Sequence, residues 1–482
     1  MTSTAPSPLD PTNPAAPLPK AVRWLCSFQV MNGFNFTIVL GTPMVLTAKY
    51  LGAGETLIGA ILAMTPFLSV LQIFAGRLAD RWGYQRMMLA GSLPRYLALL
   101  LLVPLPLLHG KTIGGWTIPD ALLLTLLTVL VFLYAAIRIL TFVGWVPWLM
   151  QLIPEAQRGR YFGWDQTTVC SGMFVSLLAS ACFLGNDPGG VPPWKYAVLL
   201  GSAFIAFGLS IRFLKAVPCN QPDAEAGKEN LSWQEFRGIA RNVWAHAPFR
   251  RMVRWMIINN LAWGAYGGFT VVFMRDELKI GEGYILGISG VMMLGIIISS
   301  MLWGRFSDAF GSRPTMRLAG AGQLVVLSTW LLAAMGMISL SIPTLFLMNL
   351  GFGIITAAMT VPFLKLYMVS FPQEEKTVAI TMNTAIASIF AGIAPLAWGI
   401  ILESLKHQSA FASGWLRPFT IFFGVSMFLA ILMQVALTRI KDPKAASTLE
   451  MLGLLMVDWP RQRLSGLVNS LFEPGAWKRP GK

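Results

Sequence analysis

Charge is what this chain has least of. Only 12% of its 482 residues are Asp, Glu, Lys or Arg, while 55% are hydrophobic, and the mean hydropathy is +0.61. A soluble chain of this length could not hide so much apolar surface. Histidine is scarcer still: His109, His246 and His407 lie far apart in different loops, which argues against a metal site. The four cysteines (Cys26, Cys170, Cys182, Cys219) form no C-x-x-C pair, and three fall in or beside apolar runs, so structural disulfides are not expected. There is no H-E-x-x-H, no P-loop, and no G-x-G-x-x-G followed by a cofactor acid. With no nucleophile–base set either, neither a cofactor nor an enzymatic activity is expected. The ten-residue alternation of barrel strands is missing as well.

What the chain has instead is a series of apolar runs of about 20 residues, enough to cross a hydrocarbon core roughly 30 Å thick. They lie near residues 24–47, 57–76, 88–108, 120–151, 163–184, 195–214, 252–274, 284–303, 316–338, 343–370, 377–402 and 416–438. This predicts an all-α membrane protein of twelve spans, six and six. The net charge of +15 follows the same pattern. Of 37 basic residues, 27 fall in the terminal, central and alternate loops of one side and seven on the other, with Arg95, Arg138 and Lys365 left inside spans. By the positive-inside rule both termini and the central linker face the cytoplasm of an inner (plasma) membrane protein. The basic balance thus reports topology, and nucleic acid is not an expected partner.

The two halves repeat. Gly76-Arg-Leu-Ala-Asp80-Arg81-Trp-Gly83-Tyr-Gln-Arg86 recurs as Gly304-Arg-Phe-Ser-Asp308-Ala309-Phe-Gly311-Ser-Arg313 at a constant offset of 228, which Asn32/Asn260 and Gly59/Gly287 keep. A second element, Val146-Pro-Trp-Leu and Val361-Pro-Phe-Leu, follows spans 4 and 10. The loops Pro154-Glu-Ala-Gln-Arg158 and Pro372-Gln-Glu-Glu-Lys376 come next at an offset of 218, which carried forward aligns Asp165 with Asn383. Duplicated membrane halves are the mark of a transporter whose halves rock. The predicted organisation is a disordered leader (1–21), a first half (22–214), a cytoplasmic linker with an amphipathic helix (215–250), a second half (251–438) and an amphipathic tail (439–482). In the linker, Trp233, Phe236 and Ile239/Ala240 recur at helical spacing.

Ionisable residues inside a membrane are costly and usually functional. Arg138 in mid-span 4 is read as a cavity or coupling group or else a hydrogen-bond hub. Asp165, two turns into span 5, serves coupling or pairs with Arg158 or Arg160. Lys365 and Arg95 are expected to reach toward the cytoplasm. Spans 1 and 7 carry uncharged polar and aromatic groups, Asn32 and Asn35 against Asn259, Asn260, Trp263 and Tyr266; with Asn383 these are the candidate substrate cavity. Amides and rings suit a neutral or amphiphilic organic solute; the alternative is hydrogen bonding between packed spans.

The loop Gly76-x-Leu-Ala-Asp80-Arg81-x-Gly83 with Arg86, its degenerate copy between spans 8 and 9, and Pro154-Glu-x-x-Arg158-Gly159 between spans 4 and 5 resemble signatures of the major facilitator superfamily, and the resemblance covers nearly the whole chain. It implies secondary transport by alternating access, with a central cavity between the halves. It also implies a conformational clamp at Gly76, Asp80, Arg81, Gly83 and Arg86, and a weaker one at Gly304, Asp308, Gly311 and Arg313, where Ala309 replaces the second arginine. An arginine near position 138 is frequent in the family, although Phe142 stands where its glycine would be. The expectation is a monomer in the lipid bilayer moving a small organic solute, as an exporter of amphiphiles or a symporter with protons as the coupling ion. A relative that transports nothing and serves assembly or delivery of a membrane complex, docking through its tail, is the alternative.

Overall fold

The computed structural model describes residues 21–72, 83–113, 115–153, 158–186, 190–217, 233–370, 376–408 and 416–440. Nearly all of them are helical. Ten described helices are long and apolar enough to cross a membrane. Spans 2 and 7 complete the expected twelve. The described part of span 2 is Glu55–Ser69, while span 7 is divided into Ala247–Trp263 and Tyr266–Asp276. Span 1 is likewise broken, into Ala21–Leu40 and Thr42–Tyr50, with Pro43 at the restart. The repeat-related spans 1 and 7 are therefore both discontinuous, a property of helices that line transport sites. Spans 4 and 10, which carry the matching Val-Pro elements, differ: span 4 breaks between Phe142 and Trp145, whereas span 10 runs through Pro362 without interruption from Ile342 to Val369. A two-residue hairpin, Thr112–Ile113 against Trp116–Thr117, joins spans 3 and 4 and was not expected from an all-helical reading.

The repeat survives in the helix boundaries. Asp165 lies in the helix Arg158–Leu184 of span 5 and Asn383 in the helix Lys376–Lys406 of span 11, the two repeat-related spans. Spans 3 and 9 begin at Tyr84 and Ser312, each after a glycine with positive φ: Gly83 at 82° and Gly311 at 94°. A side chain there would be strained, so glycine at this turn is a backbone requirement in both copies. The amphipathic linker helix is Trp233–Ala245. The leader through residue 20, Gly76, Asp80 and Arg81 of the first clamp, and the tail from 441 lie outside the described residues.

By packing, the chain forms two units: Met1–Ser232 with Gly264–Gly290 and Ser388–Gln408, and Trp233–Trp263 with Val291–Ala387 and Ser409–Lys482. The first thus includes the second part of span 7, the start of span 8 and most of span 11. Its largest apolar cluster gathers Leu25, Phe28, Trp145, Trp148, Leu149, Tyr161 and Leu214. The second unit packs Phe249, Trp255, Met316, Met359 and Met433. Helix crossings are made by small residues, as expected where lipid gives no hydrophobic drive for association. A Cβ on Gly172 of span 5 would stand 2.2 Å from the Val30 carbonyl oxygen of span 1, and one on Gly33 would stand 2.6 Å from that of Val169.

These distances generate a prediction. Gly172→Ala forces two backbones apart and should cost about 1–3 kcal/mol, whereas Gly201→Ala, with nothing within 4 Å, should be neutral; melting curves of the purified variants in detergent compare them.

Candidate functional site

Polar side chains of the first unit form three groups. The first is buried among spans 1, 3, 4 and 6. Arg95 donates through Nη2 to the Tyr134 hydroxyl at 3.0 Å and lies over the rings of Tyr134 and Phe207, 4.8 and 4.3 Å from their centroids. Tyr134 donates in turn to Asn35 Oδ1, and Asn35 Nδ2 donates to the Ala203 carbonyl at 2.8 Å. Arg95 is only 5% exposed, so it does not reach toward solvent as the sequence suggested; the tyrosine and the two rings compensate it inside the bundle. Asn35 is fully buried and its amide is used on both sides, which makes it an interhelical tie rather than a surface for a solute. A cavity of about 10 Å³ beside Arg95, lined by Phe28, Phe142 and Ser210 among others, has room for about one water molecule.

The second group joins spans 1 and 5. Gln29 Nε2 donates to Asp165 Oδ1 at 2.9 Å, and the Tyr161 hydroxyl donates to the same oxygen at 3.2 Å. Trp145 adds a side-chain hydrogen bond. Asn32, 2% exposed, donates to Gln29 Oε1 at 3.4 Å. Among the described residues no ion pair joins Asp165 to Arg138, and the side chains of Arg158 and Arg160 lie outside that set. Asn383, the repeat counterpart of Asp165 in the sequence, donates to the Tyr367 hydroxyl at 3.2 Å within the second unit, and its Oδ1 is buried without a partner among the described residues.

The third group lies at the sparsely basic end of the bundle and was not anticipated. Glu55 Oε1 accepts from Lys49 at 2.9 Å and from Lys406 at 2.6 Å, and Lys49 also reaches Asp276 at 2.7 Å. The Thr56 amide at the start of span 2 donates to Glu403 of span 11 at 2.7 Å, so a carboxylate caps this helix N-terminus. Gly54 belongs here because a Cβ would meet Glu403 Oε1 at 2.9 Å. One turn further in, a Cβ on Gly59 would stand 2.4 Å from the Pro395 carbonyl oxygen, and one on Gly399 2.7 Å from that of Glu55. The repeat-related crossing of spans 5 and 8 is built the same way. Gly283 donates its amide to the Gly185 carbonyl at 2.9 Å, and a Cβ on it would be 2.6 Å from that oxygen. Glu282 accepts from Arg275 at 3.2 Å and from Tyr196, and Asn186 Oδ1 accepts from the Tyr284 amide at 2.8 Å. For Lys49 and Arg275 the sequence held a signal, since each is followed by an acid in the first turn of the next span, Glu55 and Glu282; the part of Lys406 and the joining of these charges show only in three dimensions.

Glu55 precedes the apolar run of span 2. Burial alone would raise its carboxyl, but hydrogen bonds from Lys406 and Lys49 and their charges hold it down at about 2. A depressed carboxylate contributes stability above its unfolded value and loses it as pH falls through the folded one. This group therefore stays ionised at every physiological pH.

The remaining candidates are divided between the two units. Asn259 is half-buried, Asn260 holds a buried Nδ2 without a partner, and Trp263 stacks near Phe352 at 5.4 Å; all three are in the second unit. Tyr266 is 6% exposed in the first. Arg138 sits between Phe36 and Phe142, 4.8 and 5.5 Å from their ring centroids. Of the clamp, Arg86 is exposed and Arg313 donates to the Thr438 carbonyl at 2.6 Å. Gly304 has space for a Cβ, with only Val361 at 3.8 Å, and the Asp308 side chain lies outside the described residues.

A chain of broken, repeat-related helices matched by two glycine-built crossings is a transporter architecture. The sequence matches the Major Facilitator Superfamily over residues 24–395 and again over 256–474. The chain belongs to that superfamily. It is an integral membrane protein of a family of transporters. No curated protein matches the sequence. In three dimensions the chain is similar to the xylose transporter XylE from E. coli in an inward open conformation (13% identity, TM-score 0.63, covering 90% of this chain and 98% of that one). It is also similar to the nucleoside transporter NupG (14%, 0.60, 87% and 99%) and to the peptide transporter POT (14%, 0.59, 88% and 95%). At such identities the likeness is one of fold.

The difference between Asn35 and Asn260 can be measured. Asn35→Ala strands the Tyr134 hydroxyl and the Ala203 carbonyl and should cost about 1–3 kcal/mol, whereas Asn260→Ala removes an amide nitrogen that has no partner and should leave the melting temperature nearly unchanged. Equal losses in thermal denaturation would contradict the assignment.

Proposed function

We propose that this protein is a secondary active transporter that moves a small organic solute by alternating access across an inner membrane, with both termini and the linker cytoplasmic. The observation that carries this reading is the paired closure at the sparsely basic end. Spans 2 and 11 and spans 5 and 8 meet there backbone to backbone through glycines, under ion pairs that fasten Lys49, Glu55, Asp276 and Lys406. Contacts of this kind hold well when made and leave no interlocked side chains to unpack when released, as a gate requires. In the proposed topology this end is the outer gate. The clamp at Gly76, Asp80, Arg81, Gly83 and Arg86, with its copy at Gly304, Asp308, Gly311 and Arg313, would hold the opposite, cytoplasmic end when the outer gate is open.

Asn260 and Asn383, each with a buried amide atom that has no partner among the described residues, are the part of the predicted cavity that we assign to the solute, with Asn259 and Trp263 beside Asn260 on span 7. Asn32 and Asn35, from the same predicted set, are instead engaged within the first unit by Gln29 and Tyr134. Asp165 is the proposed coupling group. Its bonds from Gln29, Tyr161 and Trp145 serve the charged form, and a proton arriving there would loosen the tie between spans 1 and 5.

Two outcomes follow. Glu55→Gln should open the outer end, so that a single cysteine at Leu62→Cys in a cysteine-free background is labelled faster by an impermeant maleimide from that side; unchanged labelling would remove the ion pairs from gating. Asp165→Asn in proteoliposomes should abolish accumulation driven by a pH gradient while preserving downhill exchange of the same solute, and wild-type accumulation in that variant would exclude Asp165 from coupling.

A further inference from the structure

The two arginines buried in the first half are not equivalent. Arg95 has its partners in the Tyr134 hydroxyl and two aromatic faces. Arg138, one turn after Tyr134 on span 4, has only the faces of Phe36 and Phe142. Its Nε is buried without a partner, and its side chain makes no hydrogen bond or ion pair among the described residues. An arginine stays protonated in a protein, and a cation inside a membrane needs compensation. Two phenyl rings offset part of that need, because they act on the flat face of the guanidinium. They leave its in-plane donors unused.

Among the described residues no acid is paired with Arg138. Asp165 is engaged by Gln29 and Tyr161. Glu55, Asp276, Glu282 and Glu403 are held at the sparsely basic end, and Asp120 faces His109 in a loop. Arg95 adds a second positive charge nearby with no carboxylate of its own. Arg138 is also reachable: it is partly exposed, as are Phe36 and Phe142, where Arg95 is buried.

We propose that Arg138 is the counter-ion of the transported solute, and that this solute is an organic oxyanion (a carboxylate, sulfonate or phosphate) with an apolar body. The guanidinium fork matches two oxygens of such a group in one plane. Phe36 and Phe142, already against its faces, give the apolar body a surface on either side. This inference rests on the transporter reading and narrows it from a solute of unspecified charge to an anion. It also gives the uncompensated charge a role in the cycle, since the unloaded site is electrostatically unsatisfied until an anion enters.

The test uses the full-length protein purified in detergent, at fixed chloride, titrated with benzoate, benzenesulfonate and phenyl phosphate and with the uncharged benzamide and benzyl alcohol. Thermal denaturation reports binding, because a ligand stabilises the state it binds. At least one oxyanion should raise the wild-type melting temperature in a saturable way while the uncharged pair does not, and which of the three acts identifies the headgroup. Arg138→Gln should weaken that binding by at least about tenfold. Arg138→Lys, which keeps the charge without the fork, should weaken it less, and it carries the same comparison if the glutamine variant does not fold. The proposal is overturned if no oxyanion stabilises the protein, if the uncharged compounds act equally well, or if Arg138→Gln binds the oxyanion as the wild type does. Flux in proteoliposomes separates this from the reading beneath it. A wild type that carries neutral solutes and ignores oxyanions remains a transporter and sinks the anion. One that binds an oxyanion but carries nothing keeps the site and loses the transport role.

Discussion

A polar group inside this bundle has no water to fall back on, and the architecture follows from how each such group is partnered. In hydrocarbon an unsatisfied donor or charge costs several times what it would at a soluble surface, so a buried polar side chain that is partnered fixes its neighbours. Asn35, Tyr134 and Arg95 tie spans 1, 4 and 3 together and, through the Ala203 carbonyl, span 6. Gln29 and Tyr161 tie spans 1 and 5 through a single carboxylate oxygen. The first half is thereby fixed as a body by a handful of directional bonds, with non-directional packing filling the rest.

The closures at the sparsely basic end obey a different rule. There the helices touch through backbone, at Gly59 and Gly399 on one side and at Gly283 and Gly185 on the other. The charges sit just beyond: the side chains of Lys49 and Glu55 are nearly buried, while Asp276 and Lys406 are partly exposed. A buried charge needs its partner, so Glu55 is held by two lysines. Directional bonds deep inside and glycine contacts under ion pairs at the rim are thus two separate ways of joining spans within the first unit.

Much of the fold was legible in the sequence, because hydrocarbon thickness sets span length and the repeat offset sets register. The starts of spans 3 and 9 keep the offset of 228 read from the loops. What could not be read was the direction of individual side chains. Asn32 and Asn260 share a register, yet one amide is bonded and the other is not, because helical spacing places a residue on a face without saying what stands opposite. Arg95 looked like a residue that reaches for water, since Tyr134 and Phe207 lie far from it in sequence. The charges at the rim were counted for topology, and their mutual pairing required three-dimensional proximity between spans 1, 2, 7 and 11.

The repeat relation of Asp165 to Asn383, 218 residues apart, bears on energy conversion. Duplication supplied two equivalent positions, and only one now holds a titratable group; its counterpart is an amide. A cycle that exchanges protons at this pair would therefore carry one per turnover. The concentrating power available from a pH gradient would then be limited to roughly tenfold per pH unit, and loading the site with a monovalent anion together with that proton would make the solute-carrying half of the cycle electrically silent.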